Sequence, residues 1–298
     1  MCASERSAFS VVLPAFDEEE GLLATLDALR SALKPCGRPY EIIVVNDGST
    51  DATPRILEAC DDVTVVHHAE NRGYGAALKA GIKAARHALV AVMDADGTYS
   101  PAAIPALVDR CATASMVVGA RIGRHVHSAP ARSVAKWCFR QFAQWITGTP
   151  IPDLNSGLRV FQRSVGERFL PLLPDGFSFT TTITVASILE RLVVRFEPVD
   201  YMPRLGRSKV RPVRDTLRIA RQLLRLGVRL APFRTSVVIA LPLFVVSVAA
   251  ASYHLGRLTP AGLAALAAGI IVLATGLAAE QRVRRRRGLA VADVVPSQ

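Results

Sequence analysis

Leu89–Pro101 reads LVAVMDADGTYSP. Its first part, Leu89, Val90, Ala91, Val92 and Met93, is apolar, short and bounded by turn-formers, which predicts a buried strand. Asp94 and Asp96 follow at once, with Ala95 between them; Gly97 breaks the strand and Pro101 suits the first turn of a helix. Two carboxylates are thus expected at the C-terminal mouth of a core strand. In open α/β sheets that edge binds ligands. Two hard oxygen donors there suit Mg²⁺ or Mn²⁺ shared with a phosphate. A turn with two solvated aspartates fits the same letters equally well, and the rest of the chain has to decide between the two.

Moving outward, Phe9 to Leu13 is an apolar run ending at Pro14, and Asp17 to Glu20 precede an apolar pattern at Leu22, Leu23, Leu26 and Leu29. That predicts a strand followed by a helix with an acidic N-terminus. Tyr40 to Val45 is a second strand, ending in Asn46-Asp47-Gly48-Ser49-Thr50-Asp51, where Ser49 or Asp51 can cap a helix. Val63 to Val66 is a third strand, and Asn71-Arg72-Gly73-Tyr74-Gly75 opens a helix through Lys79 to Arg86. Met116 to Gly119 is a fifth strand, followed by Arg121. Strands alternating with helices at this spacing mean βαβ units and a mostly parallel sheet. Asp17, Glu18, Asp47, Asp94 and Asp96 are then expected on one sheet edge, a coincidence that solvated turns taken one at a time do not explain.

The runs VVLPAFDEEEGL, EIIVVNDGSTDAT, NRGYGAALKAGI and VAVMDADGTYSP resemble family-2 glycosyltransferases of the GT-A fold. Asp153-Leu-Asn-Ser-Gly-Leu-Arg159, the run GFSFTTTITVAS from Gly176, and Tyr201 to Lys209 resemble the polyprenyl-phosphate sugar synthases within it, the dolichyl-phosphate mannose synthase and undecaprenyl-phosphate sugar transferase type. The resemblance implies that Pro14, Phe16, Glu18, Val45 and Asp47 hold the nucleoside. It implies that Asp94, Ala95 and Asp96 bind ribose, diphosphate and metal, with Asp94 and Asp96 as the metal ligands. Arg121, Arg204 and Lys209 would meet the diphosphate and sugar, or the acceptor phosphate. Asp153 is a candidate base by the same resemblance, with a structural role near Arg159 as the alternative. Two positions depart from the pattern: Asp17 stands where Asn is common, and Thr98 where some members have a metal-binding Gln.

The 298 residues are half hydrophobic, with mean hydropathy +0.29, a net charge of +11 and a pI of about 10.0, so an anionic partner is expected. Aromatic residues make up only 6%, without basic residues interleaved, which counts against a stacking surface for nucleic acid. Five scattered cysteines without a C-x-x-C indicate neither zinc nor a disulfide framework, and MCASERSAFS holds no apolar signal segment. His125 and His127 read as loop histidines rather than metal ligands, for want of a third ligand. Ala131 to Thr147 carries Trp137 and Trp145 on one helical side, as an interfacial or a core helix would.

From Pro212 the composition shifts. Arg214, Arg218, Arg221, Arg225 and Arg229 alternate with Leu217, Leu223, Leu224 and Leu226, a basic amphipathic helix suited to acidic lipid headgroups. Thr235 to Ser252 and Ala261 to Ala279 are almost wholly apolar, each near the roughly 20 residues that span a bilayer. Arginines crowd before the first and after the second, at Arg282 and Arg284 to Arg287, so both flanks are expected in the cytosol. The expected organisation is a GT-A catalytic domain over 1–211, a juxtamembrane helix over 212–233, a transmembrane hairpin over 234–280 and a basic cytosolic tail over 281–298.

The expected activity is transfer of one sugar from a nucleotide sugar of the GDP-mannose or UDP-hexose type to a polyprenyl phosphate. Transfer would proceed with inversion at the cytosolic face of the cell membrane, with Asp96, Arg121, Asp153 and Lys209 as the catalytic set. A hydroxyl acceptor, which requires a true base, and a non-catalytic membrane scaffold are the alternatives. A homo-oligomer is open to either. Nucleic acid is not an expected partner.

Overall fold

The computed structural model describes residues 8–121, 130–203, 212–253 and 259–292. Its strands are β1 (Phe9–Ala15), β2 (Tyr40–Asn46), β3 (Val63–His67), β4 (Leu89–Val92), β5 (Met116–Arg121), β6 (Arg159–Gln162) and β7 (Val194–Val199). Its α-helices are α1 (Leu22–Leu33), α2 (Thr53–Glu58), α3 (Tyr74–Ala84), α4 (Ile104–Arg110), α5 (Pro130–Thr147), α6 (Arg163–Phe169), α7 (Phe179–Leu189), α8 (Pro212–Leu230), α9 (Pro232–Tyr253) and α10 (Pro260–Ala292). The chain divides into two compact units, Met1–Gln141 with Pro150–Ala220, and Phe142–Thr149 with Arg221–Gln298.

The first unit is built on one seven-stranded sheet in the order β3-β2-β1-β4-β6-β5-β7. Neighbours among β1 to β4 run parallel, β5 and β7 run parallel to each other, and β6 alone pairs antiparallel to both of its neighbours. Strands covered on both faces read as continuous apolar runs. Accordingly Val11, Val12, Leu13, Val44, Val45, Val90 and Val92 are all wholly buried. Helix α3 lies hard against this sheet because Gly81 allows it: a Cβ there would overlap a Val12 methyl. The mostly parallel α/β architecture is the expected one. Strand β6 is the addition, a return strand slotted between β4 and β5.

Two expectations change. The acidic residues after β1 do not form the first turn of α1; they make a separate turn whose Glu18 carbonyl accepts the Gly21 and Leu22 amides at 3.1 and 2.9 Å. The reason lies in the Asp17 backbone, held at φ +48° by bonds to the next loop. The segment beyond the second apolar span is not a separate tail at first, since α10 continues through the arginines to Ala292.

In the second unit, α9 and α10 pack against each other, with Gly269 facing the Phe244 ring. Both are long and apolar enough to cross a membrane, over Pro232–Ser252 and Pro260–Arg285, and only 17% of each apolar window is buried inside the protein. The start of α9 is tied to the end of α5: Trp145 Nε1 donates to the Arg234 carbonyl at 2.9 Å, and Arg234 donates back to the Ile146 carbonyl at 3.1 Å. Trp137 and Trp145 are half exposed, whereas Ala143 and Ile146 are buried, so α5 buries a face that does not carry the tryptophans.

Candidate active site

Because β1, β2, β3 and β4 are parallel, the loops that follow them share one sheet edge, and their polar residues lace those loops to each other. The Asp17 amide donates to Ser49 Oγ at 3.0 Å, and its carboxylate accepts the Thr50 amide at 2.8 Å. Glu18 and Glu19 donate their amides to Thr53 Oγ1 and Asp51 Oδ2, at 2.9 and 3.1 Å, and Glu19 Oε2 accepts the Ala52 amide at 2.8 Å. The loop after β1 is thereby fastened to the loop after β2. Pro14, Phe16 and Glu18 sit partly exposed on this rim.

Asp47 fastens the next pair of loops. Its Oδ1 takes the Arg72 amide at 3.0 Å and meets His68 Nδ1 at 2.6 Å, while Oδ2 takes the Gly73 amide at 2.8 Å. The side chain thus fastens the loop after β3 to the end of β2; the resemblance gives the same residue to the nucleoside. Val45 is wholly buried, beside Val12 under α3.

Asp94 and Asp96 leave the mouth of β4 as the strand reading requires, the Met93 amide still bonded to the Val12 carbonyl at 3.1 Å. Ala95 is buried, its carbonyl accepting Thr25 Oγ1 at 3.1 Å. Asp96 is 2% exposed, and its Oδ1 accepts both the amide and the hydroxyl of Thr98, at 3.0 and 2.6 Å. Thr98 thus braces the Asp96 carboxylate. Asp94 accepts the Tyr74 hydroxyl at 2.8 Å. Burial, with the Asp94 charge beside it, pushes the Tyr74 hydroxyl well above its usual value, so it keeps its proton and donates.

Arg121 and Asp153 form a forked pair. Nε and the Arg121 amide donate to Oδ2 at 2.7 and 3.1 Å, and Nη2 donates to Oδ1 at 2.8 Å. Burial works to raise the Asp153 carboxyl, but the Arg121 hydrogen bonds and charge outweigh it and hold the group below the usual carboxylate range. The Arg121 guanidinium also lies over the Tyr201 ring, 5.3 Å from its centroid. Tyr201 in turn meets Tyr99 edge-on at 5.3 Å and bridges to it through the backbone. Arg159 is wholly buried and near enough to Asp153 and Asp94 to feel both charges. It donates to the Thr180 carbonyl and Thr184 Oγ1 at 2.9 and 3.0 Å, and to the Ser156 carbonyl. Arg204, Lys209, His125 and His127 lie outside the described residues.

The described candidates thus fall into two groups, Asp94 with Asp96 and the Arg121–Asp153 pair, linked through Tyr201, Tyr99 and Gly157. Residues the sequence reading did not single out are Tyr74, Tyr99, Gly157 and Tyr201. All four stand inside runs quoted above, but nothing in their spacing points at Asp94.

The sequence model of glycosyl transferase family 2 matches residues 10–169, more than half of the chain. The chain belongs to glycosyl transferase family 2. It is 36% identical over 196 residues to undecaprenyl-phosphate 4-deoxy-4-formamido-L-arabinose transferase of Pseudomonas aeruginosa, covering 59% of this chain and 56% of that protein. It is 29% identical over 221 residues to the low-salt glycan biosynthesis hexosyltransferase of Haloferax volcanii, covering 72% and 52%. The chain spans about half the length of the curated relatives it matches. Among solved structures, glucosyl-3-phosphoglycerate synthase from Mycobacterium tuberculosis, in complex with Mn²⁺, uridine diphosphate and glucosyl-3-phosphoglycerate, superposes with a TM-score of 0.54 at 24% identity. That match covers 74% of this chain and 79% of that one and shows the shared GT-A fold. The Pseudomonas relative is named as an undecaprenyl-phosphate sugar transferase, the polyprenyl-phosphate type to which the sequence resemblance points.

Proposed function

We propose that this glycosyltransferase moves a single sugar, with inversion, from a nucleotide sugar of the GDP-mannose or UDP-hexose type to a polyprenyl phosphate at the cytosolic face of the cell membrane. One observation carries the reading: Asp94 and Asp96 stand at the mouth of a parallel strand in a chain with two helices of spanning length. The relatives named for undecaprenyl-phosphate transfer support the acceptor. The domain layout follows: a catalytic domain over 1–211, the basic helix over 212–233, the hairpin over 234–280 and the basic segment beyond.

The carboxylates fit a divalent cation of the Mg²⁺ or Mn²⁺ kind. They are hard oxygen donors that follow directly on β4. Donor phosphates and water would complete the shell, as is usual for Mg²⁺. When bound, the cation supplies Lewis-acid stabilisation of charge on the departing nucleoside diphosphate. Arg121, held by Asp153 and the Tyr201 face, adds fixed positive charge to the same region. An acceptor phosphate oxygen donates its lone pair to the anomeric carbon from the face opposite the diphosphate. The bond from that carbon to the diphosphate oxygen breaks, and its electron pair leaves with the nucleoside diphosphate. A phosphate monoester, with a second pKa of about 6, is already anionic near neutrality and needs no proton removed. Asp153, ionised and committed to Arg121, therefore acts as its positioning residue.

The direct test is to incubate purified protein with Mn²⁺, a short polyprenyl phosphate and a panel of labelled nucleotide sugars. Label in the lipid fraction is expected for one of them, and none for any donor would sink the reading.

Two further outcomes are expected. A cysteine introduced by Ser297→Cys should react with an impermeant maleimide only after the cell membrane is opened, because arginines flank both spans. Reaction on intact cells would reverse the orientation. In the segment 201–211, Arg204, Arg207, Lys209 and Arg211 would repel one another without anions nearby. On this reading donor diphosphate and acceptor phosphate would supply those anions, to Arg204 and Lys209. Lys209→Ala should then cut turnover at least about tenfold, the scale of one charge-assisted contact, whereas Arg207→Ala should only weaken vesicle binding in a salt-dependent way. Equal, mild effects at both positions would remove Lys209 from the site.

A further inference from the structure

Asp94 is gripped from two sides by parts of the fold remote from it in sequence. On one side the Tyr74 hydroxyl donates to Oδ1 at 2.8 Å. On the other side the main chain at Gly157 comes so close that a Cβ there would overlap the Asp94 carboxylate. The Gly157 amide is itself fixed, donating to the Tyr99 hydroxyl at 2.7 Å.

Tyr74 is placed with equal care. It is the first residue of α3, and its ring stacks on Phe177 at 5.4 Å with 18° between planes. The amides that follow it, Gly75 and Ala76, both donate to the Asp175 carbonyl, at 2.7 and 3.1 Å. One turn further on, Lys79 Nζ reaches the Leu173 carbonyl at 2.9 Å and the Asp175 carboxylate at 2.5 Å. The start of α3 is therefore locked to the segment 173–177, and that lock sets the height of the tyrosine hydroxyl against Asp94.

We propose that Tyr74 is a positioning residue for the cation-binding carboxylate Asp94, transmitting the seating of α3 on the 173–177 segment to the geometry of the donor site. The proposal rests on the reading of Asp94 and Asp96 as cation ligands. A hydrogen bond that orients a metal-ligating carboxylate is worth about 10- to 100-fold in metal affinity.

The test uses the full chain in detergent and three proteins: wild type, Tyr74→Phe and Asp94→Asn. Phenylalanine keeps the ring on Phe177 and removes only the donor. Binding of Mn²⁺ is read from the electron paramagnetic resonance of the free ion, with Mn²⁺ alone and with Mn²⁺ plus UDP or GDP. The expected result is measurable binding by wild type, loss in Asp94→Asn, and binding about tenfold weaker in Tyr74→Phe, at the lower end of that range. Melting of Tyr74→Phe in EDTA should match wild type, and its transfer rate should recover at saturating Mn²⁺. Wild-type affinity in Tyr74→Phe, with Asp94→Asn defective, overturns the proposal and leaves the cation site standing. An early-melting Tyr74→Phe with unchanged affinity also overturns it, by reducing the hydroxyl to a structural role. No Mn²⁺ bound by wild type under any condition, or Asp94→Asn binding like wild type, removes the cation site and the proposal together.

Discussion

Asp96→Asn should lower sugar transfer by at least about a hundredfold, on the scale of losing one charge-stabilising group in the transition state, while leaving the fold intact. The structure separates the two jobs this side chain could do. Its Oδ1 accepts the Thr98 amide and hydroxyl, which closes the turn after β4. Asparagine keeps an Oδ1 that can accept both bonds, so a purely structural Asp96 would be replaced almost without loss. What asparagine removes is the negative charge at a position 2% exposed on the strand mouth. Melting within a few degrees of wild type, together with collapsed transfer, therefore assigns the charge to the reaction. Retained transfer in Asp96→Asn, or full wild-type activity in chelator, would return Asp96 to the turn and end the cation reading.

Much of this arrangement was legible in the sequence because it rests on local patterns. The runs at Phe9 to Leu13, Tyr40 to Val45 and Leu89 to Met93 are apolar without alternation, as strands buried on both faces must be, and each ends at a turn-former. Parallel pairing then brings their ends to one edge without further information. The arginine-flanked apolar runs were legible for the same reason, since length and composition alone identify a helix able to span a bilayer.

What was not legible depends on distant packing. Strand β6 is only Arg159–Gln162 and begins with a wholly buried arginine, so neither alternation nor composition marks it. Helix α7 is buried on every side, its threonines included, and shows no polar face from which a helical period could be read. Asp47 shows the same dependence: its carboxylate accepts the Arg72 and Gly73 amides and meets His68, so it holds the 68–73 loop, a contact that its place after a strand does not reveal. The Tyr74–Asp94 bond and the approach of Gly157 are contacts between segments far apart in the chain, and no single run of residues contains them.

Asp153→Asn is the second substitution with a large expected effect, and it decides between a base and a positioning residue. The Arg121–Asp153 pair is mostly enclosed, with side chains 20% and 11% exposed. Breaking such a pair leaves a guanidinium without its counter-charge. Because some solvent reaches it, the cost should be about 2 kcal/mol, below the loss typical of a fully buried pair. Transfer should fall by about a hundredfold, since Arg121 loses the fork that aims it. The pH behaviour separates the roles. Asp153 titrates below the usual carboxylate range, so the pair's contribution to stability is complete above about pH 4, the unfolded value. It is lost only as pH falls through the lowered folded value. Asp153 therefore stays charged across the working range and gives no limb to the rate profile there. The acidic limb should instead sit near pH 6, where the acceptor phosphate takes up its proton, and it should appear at the same pH in wild type and in Asp153→Asn. A base would behave differently, its removal abolishing or moving that limb. The double variant with Arg121→Ala adds an independent check. If Asp153 acts through Arg121, the double loss should scarcely exceed that of Arg121→Ala alone. A limb that vanishes in Asp153→Asn, with losses that multiply in the double variant, would establish Asp153 as the base and point to an acceptor that must give up a proton.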